Sequence, residues 1–284
     1  MKTALITGAS SGIGKATAIR FAQSGKYKLI LCGRREDRLI ELADELHITY
    51  GTQSYPLCFD IRKESEVAAA IDRLPKEFER VDVLVNNAGL ALGLDPIYDG
   101  KLEHWETMID TNVKGLLYMT RIVSRKMVES RSGHIINICS TAGKEVYPKG
   151  NVYCATKFGV DALTRAIRQD LYTFGIRVGQ VSPGHVEETE FAINRFEGDS
   201  ARANIYSDFT PLRAADVADA IFYMVSAPAH VNIGYSDDFY TASICRSGGP
   251  IRTKILSGHN WRVRNGLETC RTQANLNIQL SGTF

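Results

Sequence analysis

A doubly wound α/β sheet, parallel and covered by helices on both faces, is the fold class this sequence predicts. Short continuous apolar runs alternate with longer amphipathic stretches for most of the length. Strands buried on both faces read as unbroken apolar runs of this kind. A glycine-rich turn joins the first run to the first amphipathic stretch, which is how βαβ units begin.

The elements follow in order. Residues 4–7 run Ala-Leu-Ile-Thr into the glycine turn, and residues 14–23 carry the first helical pattern. A second strand at 28–32 leads to a helix at 36–46, and a third at 54–59 to a helix at 64–74. The fourth strand, 83–86, precedes a long helical pattern at 103–129; the fifth, 134–139, precedes another at 152–174. A sixth strand falls at 177–181. Right-handed crossovers between parallel strands then stack helices on both faces of one sheet. Residues 1–234 are expected to form one catalytic domain. Residues 235–284 are rich in Ser, Thr, Gly, Asn and Arg without a sustained apolar period. They are expected to be a loosely ordered tail.

The 284 residues suffice for one large domain with a substantial core. A formal charge of +2 gives no basic field, so neither nucleic acid nor an anionic membrane is expected as a partner. No apolar run approaches the roughly 20 residues of a membrane-spanning helix, and the first residues lack a secretory leader's apolar core. A cytoplasmic protein is expected. The six cysteines form no CxxC and no finger-like spacing with histidine, so neither a disulfide framework nor a metal site is indicated.

Three motifs carry chemistry. Thr7-Gly8-Ala9-Ser10-Ser11-Gly12-Ile13-Gly14 lies at the first strand–helix junction. Glycines at 8, 12 and 14 let the backbone turn tightly and approach a pyrophosphate, whose charge meets the helix N-terminus. Many strand–helix turns contain glycine, but here a strand precedes and an amphipathic helix follows. The spacing is G-x3-G-x-G. At the end of the second strand stand Arg34 and Arg35, where a carboxylate would select NAD and an arginine accommodates the 2′-phosphate of NADP. They could also be two surface arginines at a helix start. Asn86-Asn87-Ala88-Gly89 follows the fourth strand, at a carboxyl end where cofactor crevices lie, though Asn and Gly also make ordinary turns.

Downstream, Ser140 is followed by Tyr153 and then by Lys157 one helical turn later. Taken with Asn112 and Pro183-Gly184, these motifs resemble the signature set of the short-chain dehydrogenase/reductases over roughly residues 2–234. Further stretches are NAGLALG from Asn87, WETMIDTNVKG from Trp105, HIINI from His134 and GHVEETEF from Gly184. They resemble the NADP-dependent 3-hydroxy acid dehydrogenases, also called serine or allo-threonine dehydrogenases.

The resemblance implies a Rossmann-type fold and an oxidoreductase that passes a hydride between NADP(H) and a carbinol carbon. It implies that Tyr153 is the general acid/base and that Lys157 lowers its pKa and holds the nicotinamide ribose. A free phenol titrates at about 10, and a neighbouring ammonium and the cationic nicotinamide would draw it down. By the same resemblance, Ser140 steadies the substrate oxygen, and Asn112 kinks its helix and holds a water linking Lys157 to solvent. Gly8, Ser10, Ser11, Gly12, Ile13 and Gly14 form the phosphate loop, with Asn87, Ala88 and Gly89 beside it. Asp60 and Ile61 flank the adenine, although Asp60 could instead cap the following helix. Pro183, Gly184, Val186 and Thr189 line the nicotinamide side.

The segment 184–207 is expected to close over the substrate. Arg195 within it is a candidate partner for a substrate carboxylate, or an arginine paired on the surface with Glu197 or Asp199. Lys144 and Lys149 are weaker candidates. The substrate class implied is a small 3-hydroxy acid such as serine, allo-threonine or 3-hydroxyisobutyrate, with its 3-oxo acid. A broader carbonyl or 3-oxoacyl reductase is the alternative, and a non-catalytic NADP-sensing module a more distant one. The resemblance also implies a homo-tetramer.

Overall fold

In the computed structural model of the chain, residues 1–187, 189–199 and 210–239 are described. All of them fall in one compact unit. Expectations for the tail from residue 240 onward lie outside the described residues.

Seven parallel strands form the main sheet: β1 (Lys2–Thr7), β2 (Tyr27–Gly33), β3 (Ser54–Cys58), β4 (Val83–Asn86), β5 (Gly133–Ile138), β6 (Ile176–Pro183) and β9 (Tyr235–Phe239). Their order across the sheet is β3-β2-β1-β4-β5-β6-β9. A separate two-stranded pair joins β7 (Val186–Glu187) to β8 (Leu212–Arg213). The strand order reverses between β1 and β4, which opens a crevice at the carboxyl ends of the strands.

Each of the six expected strands is present. The seventh, β9, pairs with the carboxyl half of β6 and carries the sheet past the boundary expected at residue 234. Its sequence, Tyr-Ser-Asp-Asp-Phe, has no apolar run, so periodicity could not signal it.

Helices α1 (Gly12–Gln23) and α2 (Glu36–Tyr50) cover one face together with α8 (Ala214–Ser226). The other face is covered by α3 (Glu64–Asp72), α5 (Leu116–Ser130) and α6 (Asn151–Leu171). Helix α8 is absent from the expected elements, yet Ala214, Val217, Ala218, Ile221, Met224 and Val225 are buried at helical spacing. Phe21, Tyr27 and Phe222 join it to α1 and β2 through edge-on and tilted ring contacts.

The single helix expected over 103–129 is divided. Helix α4 (Leu102–Ile109) passes through a π-helical segment, Asp110–Gly115, into α5. A π turn inserts an extra residue and loosens the i→i−4 ladder, so it bends the helix where it occurs. Asn112 sits inside it. A short helix α7 (Phe191–Arg195) follows β7 on the substrate side.

Candidate active site

The crevice is a cavity of about 600 Å³ at the carboxyl ends of the strands. Every expected cofactor residue lines it except Gly14, and every expected catalytic residue except Asn112. Both exceptions act from behind the wall.

The phosphate loop is built by backbone conformation. Gly8 has φ +68°, a left-handed value that a side chain would strain. A Cβ on Gly14 would lie 2.2 Å from the Gly8 carbonyl oxygen, so only glycine lets helix α1 start this close to β1. The α1 N-terminus thus points its first N–H groups into the cavity, a ready anion site. Asn87 ties the loop to β4: its Nδ2 donates to the Thr7 carbonyl at 2.9 Å, and its backbone N–H donates to Thr7 Oγ1 at 3.0 Å. Asn86 is instead a sheet residue, buried and donating to Thr120 and Asn137 at 2.9 Å each.

Arg34 and Arg35 both reach the cavity. Arg35 Nη2 donates to Ser10 Oγ at 2.9 Å and Ser11 Oγ at 3.0 Å, while Nη1 pairs with Glu190 at 2.8 Å. Asp60 lines the cavity beside Ile61, but its carboxylate is held by Arg62 at 2.6 and 3.0 Å. Those hydrogen bonds keep the Asp60 carboxyl below the usual carboxylate range. Asp60 does not cap α3, whose N-cap position is Lys63; it accepts from the Arg62 N–H at 3.0 Å in a local turn. The capping alternative is therefore set aside.

Tyr153 and Lys157 lie on the buried face of α6, 7 % and 6 % exposed. A solvent-facing pair is ruled out by those values. Their spacing puts both on the stripe with Thr156, Val160, Asp161 and Thr164. Lys157 Nζ donates to the Ile138 carbonyl at 3.0 Å and stands 5.9 Å from the Tyr153 ring centre. Ser140 lies two residues past β5, at the N-cap of a short 3₁₀ turn; its Oγ accepts from the Ala142 N–H at 3.1 Å and hydrogen-bonds the Tyr153 phenol.

Burial dominates the electrostatics of both groups. Burial pushes the Tyr153 phenol above its ordinary value, and the Ser140 hydrogen bond and Arg195 only oppose that. Burial also lowers Lys157, with the Cys139 thiol opposing. Burial thus disfavours the charged form of both groups, raising the phenol and lowering the amine.

Asn112 stands behind this pair. Its Nδ2 donates to the Leu90 carbonyl at 2.9 Å and to Thr156 Oγ1 at 3.0 Å, and its Oδ1 accepts from the Leu90 N–H at 2.9 Å. The side chain thus clamps Leu90 to α6 from inside the π-helical segment.

Arg195 is the polar surprise. It is 8 % exposed, donating from Nη2 to Tyr147 Oη at 2.8 Å and from Nε to the Gly93 carbonyl at 3.2 Å. Its guanidinium carbon lies 5.7 Å from the Tyr153 ring centre. Glu197, one of the two expected surface partners, binds Lys101 at 3.0 Å and His104 at 3.3 Å instead. Among the described residues, no carboxylate neutralises Arg195. Lys144 is held by Asp161 at 2.6 Å, and neither it nor Lys149 lines the cavity. Tyr147, Phe191 and Glu190 also line it; Glu190 and Phe191 close the GHVEETEF stretch, but none of the three is among the expected site residues. Their position close to Tyr153 or Thr189 in sequence is the available signal.

A glycine loop, a Ser–Tyr–Lys constellation and a two-ended cavity together fit a dinucleotide beside a small substrate. The sequence matches the short chain dehydrogenase family over residues 2–200. The chain belongs to that family. It is an oxidoreductase acting at CH–OH groups. Among relatives, the NADP-dependent 3-hydroxy acid dehydrogenase YdfG of Escherichia coli K12 is 46 % identical over 230 residues, covering 81 % of this chain and 91 % of that protein. Sulfoacetaldehyde reductase 2 of Chromohalobacter salexigens is 48 % identical over 231 residues, covering 81 % and 90 %. Among solved structures, a closed form of serine dehydrogenase complexed with NADP+ superposes with a TM-score of 0.80 at 45 % identity, covering 83 % of this short chain dehydrogenase and 93 % of that chain. No described helix is long and apolar enough to cross a membrane.

Proposed function

We propose that this short chain dehydrogenase interconverts small 3-hydroxy acids and their 3-oxo acids. The cofactor is NADP(H), in line with relatives named NADP-dependent and neighbours complexed with it. The observation that carries the substrate reading is Arg195. It is a buried guanidinium with no carboxylate beside it among the described residues, within 5.7 Å of the Tyr153 ring centre. Its fork has five N–H donors and spends two on Tyr147 and Gly93, leaving the rest for a bidentate anion.

An acid anchored there by its carboxylate presents its carbinol, one methylene away, to Tyr153. A sulfonate one methylene from a carbonyl has the same spacing, which fits the relative named a sulfoacetaldehyde reductase. A broader carbonyl reductase would not need a buried cation at this end.

The chain's residues divide the work. Gly8 to Gly14 and the α1 N-terminus hold the pyrophosphate, and Arg34 and Arg35 the 2′-phosphate. Asp60 and Ile61 bound the adenine side; Pro183, Gly184, Val186 and Thr189 bound the nicotinamide side. When bound, the nicotinamide supplies or accepts the hydride. Tyr153, kept protonated by burial, gives its proton to the substrate oxygen in the reductive direction and takes it back in the oxidative one. Ser140 donates a hydrogen bond to that oxygen as charge develops. Lys157 holds the ribose side and refills Tyr153 through a water supported near the Asn112 turn. Four free cysteines among the described residues suit a reducing, cytoplasmic setting. Exposed Ile109, Leu117 and Phe158 on α4, α5 and α6 suit assembly into the proposed homo-tetramer.

The test is a rate panel with NADP+ and 3-hydroxy acids, a 2-sulfonated alcohol, and neutral alcohols of equal length. Anionic members should lead in kcat/KM. Equal rates for neutral analogues would remove the substrate assignment.

A further inference from the structure

We propose that Glu190 is a built-in stand-in for the ribose phosphate of the cofactor. It bridges Arg35 and Arg38 and must give them up when NADP(H) binds. The inference rests on the reading that Arg35 faces the 2′-phosphate. Glu190 lies 2.8 Å from Arg35 Nη1 and 2.5 Å from Arg38 Nη1, so a single carboxylate bridges two guanidinium groups. Arg35 is held in the same network by Ser10 and Ser11 of the phosphate loop.

The bridging group comes from a segment 155 residues further along the chain. Glu190 is the N-cap residue of α7, five positions before Arg195, so the substrate segment is rooted on the cofactor's phosphate site. Thr189 beside it packs over Gly12: a Cβ there would meet the Thr189 methyl at 3.1 Å. Burial acts to raise the Glu190 carboxyl, but the hydrogen bonds from Arg38 and Arg35 outweigh it and hold it below its usual range, so it is an anion at neutral pH.

Forked guanidinium donors bind carboxylate and phosphate alike. A phosphate monoester carries about −1.5 to −2 charge and three acceptor oxygens, so it outcompetes one half-exposed carboxylate for the same donors. A cofactor without the 2′-phosphate offers no such exchange and leaves the bridge in place. Two consequences follow. Arg38, on the first turn of α2, becomes a phosphate-binding residue alongside Arg34 and Arg35. The exchange also frees the N-cap of α7, which carries Arg195.

Nucleotide-fluorescence titrations of NADPH and NADH at fixed ionic strength test this without turnover. Releasing a competing, partly exposed double ion pair should tighten NADPH binding by about three- to tenfold in Glu190→Gln and Glu190→Ala. The ratio of NADH to NADPH dissociation constants should rise in both. Arg38→Ala should lower that ratio. NADPH binding that is unchanged or weaker in both Glu190 variants overturns the proposal. Arg35→Ala separates the underlying reading: if it keeps the NADPH preference, Arg35 does not face the phosphate. If Arg35→Ala loses the preference while the Glu190 variants gain nothing, only the stand-in role falls.

Discussion

Arg195 is buried without a carboxylate partner among the described residues, so its charge is available to the substrate. Arg195→Ala should lower kcat/KM for 3-hydroxy acids by about 10- to 100-fold, the worth of a charge-assisted hydrogen-bond pair, and affect neutral alcohols much less. Steady-state kinetics on both substrate types check it. Tyr153 is raised by burial, which sets a sign for pH dependence. Oxidation needs the deprotonated phenol, so its rate should climb with pH through the neutral range. Reduction uses the protonated form and should hold until alkaline pH; a pH–rate profile in each direction decides.

His134 is a third case, outside the site. Burial, with Arg177 and Lys2 nearby, holds its pKa down to about 3 from 6.5, and neither ring nitrogen has a partner among the described residues. The folded value lies below the unfolded one, so between them only the unfolded chain takes up the proton. Stability should therefore fall by about 1.4 kcal/mol for each pH unit below about 6. His134→Leu should remove that one-proton part of the slope in urea titrations across pH.

At the scale of elements, strand ends and helix starts place the site. β1, β2, β3, β4, β5 and β6 each release their loop into the same crevice, carrying Gly8, Arg34, Asp60, Asn87, Ser140 and Pro183 respectively. The tightest junction is β1 to α1. Gly14→Ala would set a methyl 2.2 Å from the Gly8 carbonyl oxygen, so the backbone must move. A loss of about 1–3 kcal/mol in stability is expected, together with weaker NADPH binding. Chemical denaturation and fluorescence titration would register both. The π segment Asp110–Gly115 acts differently. It turns Asn112 onto Leu90 and Thr156, locking the loop after β4 to the helix that bears Tyr153 and Lys157.

For the whole molecule, six of the sheet strands and the glycine turn after the first are legible in the sequence, because buried parallel strands and glycine junctions have local patterns. Ser140, Tyr153, Lys157 and the Gly8–Gly12 part of the loop meet in one cavity as the motifs imply. What could not be read depends on long-range contact. The bridge from Glu190 to Arg35 and Arg38 spans more than 150 residues of sequence. The rise of the Tyr153 pKa comes from burial that motif spacing does not encode. β9 pairs with β6, and its sequence carries no strand pattern of its own. Helix α8 is the exception, since its apolar stripe is clear in the sequence and yet it is missing from the expected elements.

The central claim is that Tyr153 moves the proton in an NADP-dependent dehydrogenase. Its most direct test is turnover and NADPH binding measured side by side in the wild type and in Tyr153→Phe. The expected result is a loss of about 10²- to 10⁴-fold in kcat with NADPH binding retained. A Tyr153→Phe enzyme that still turns over 3-hydroxy acids near the wild-type rate would contradict it.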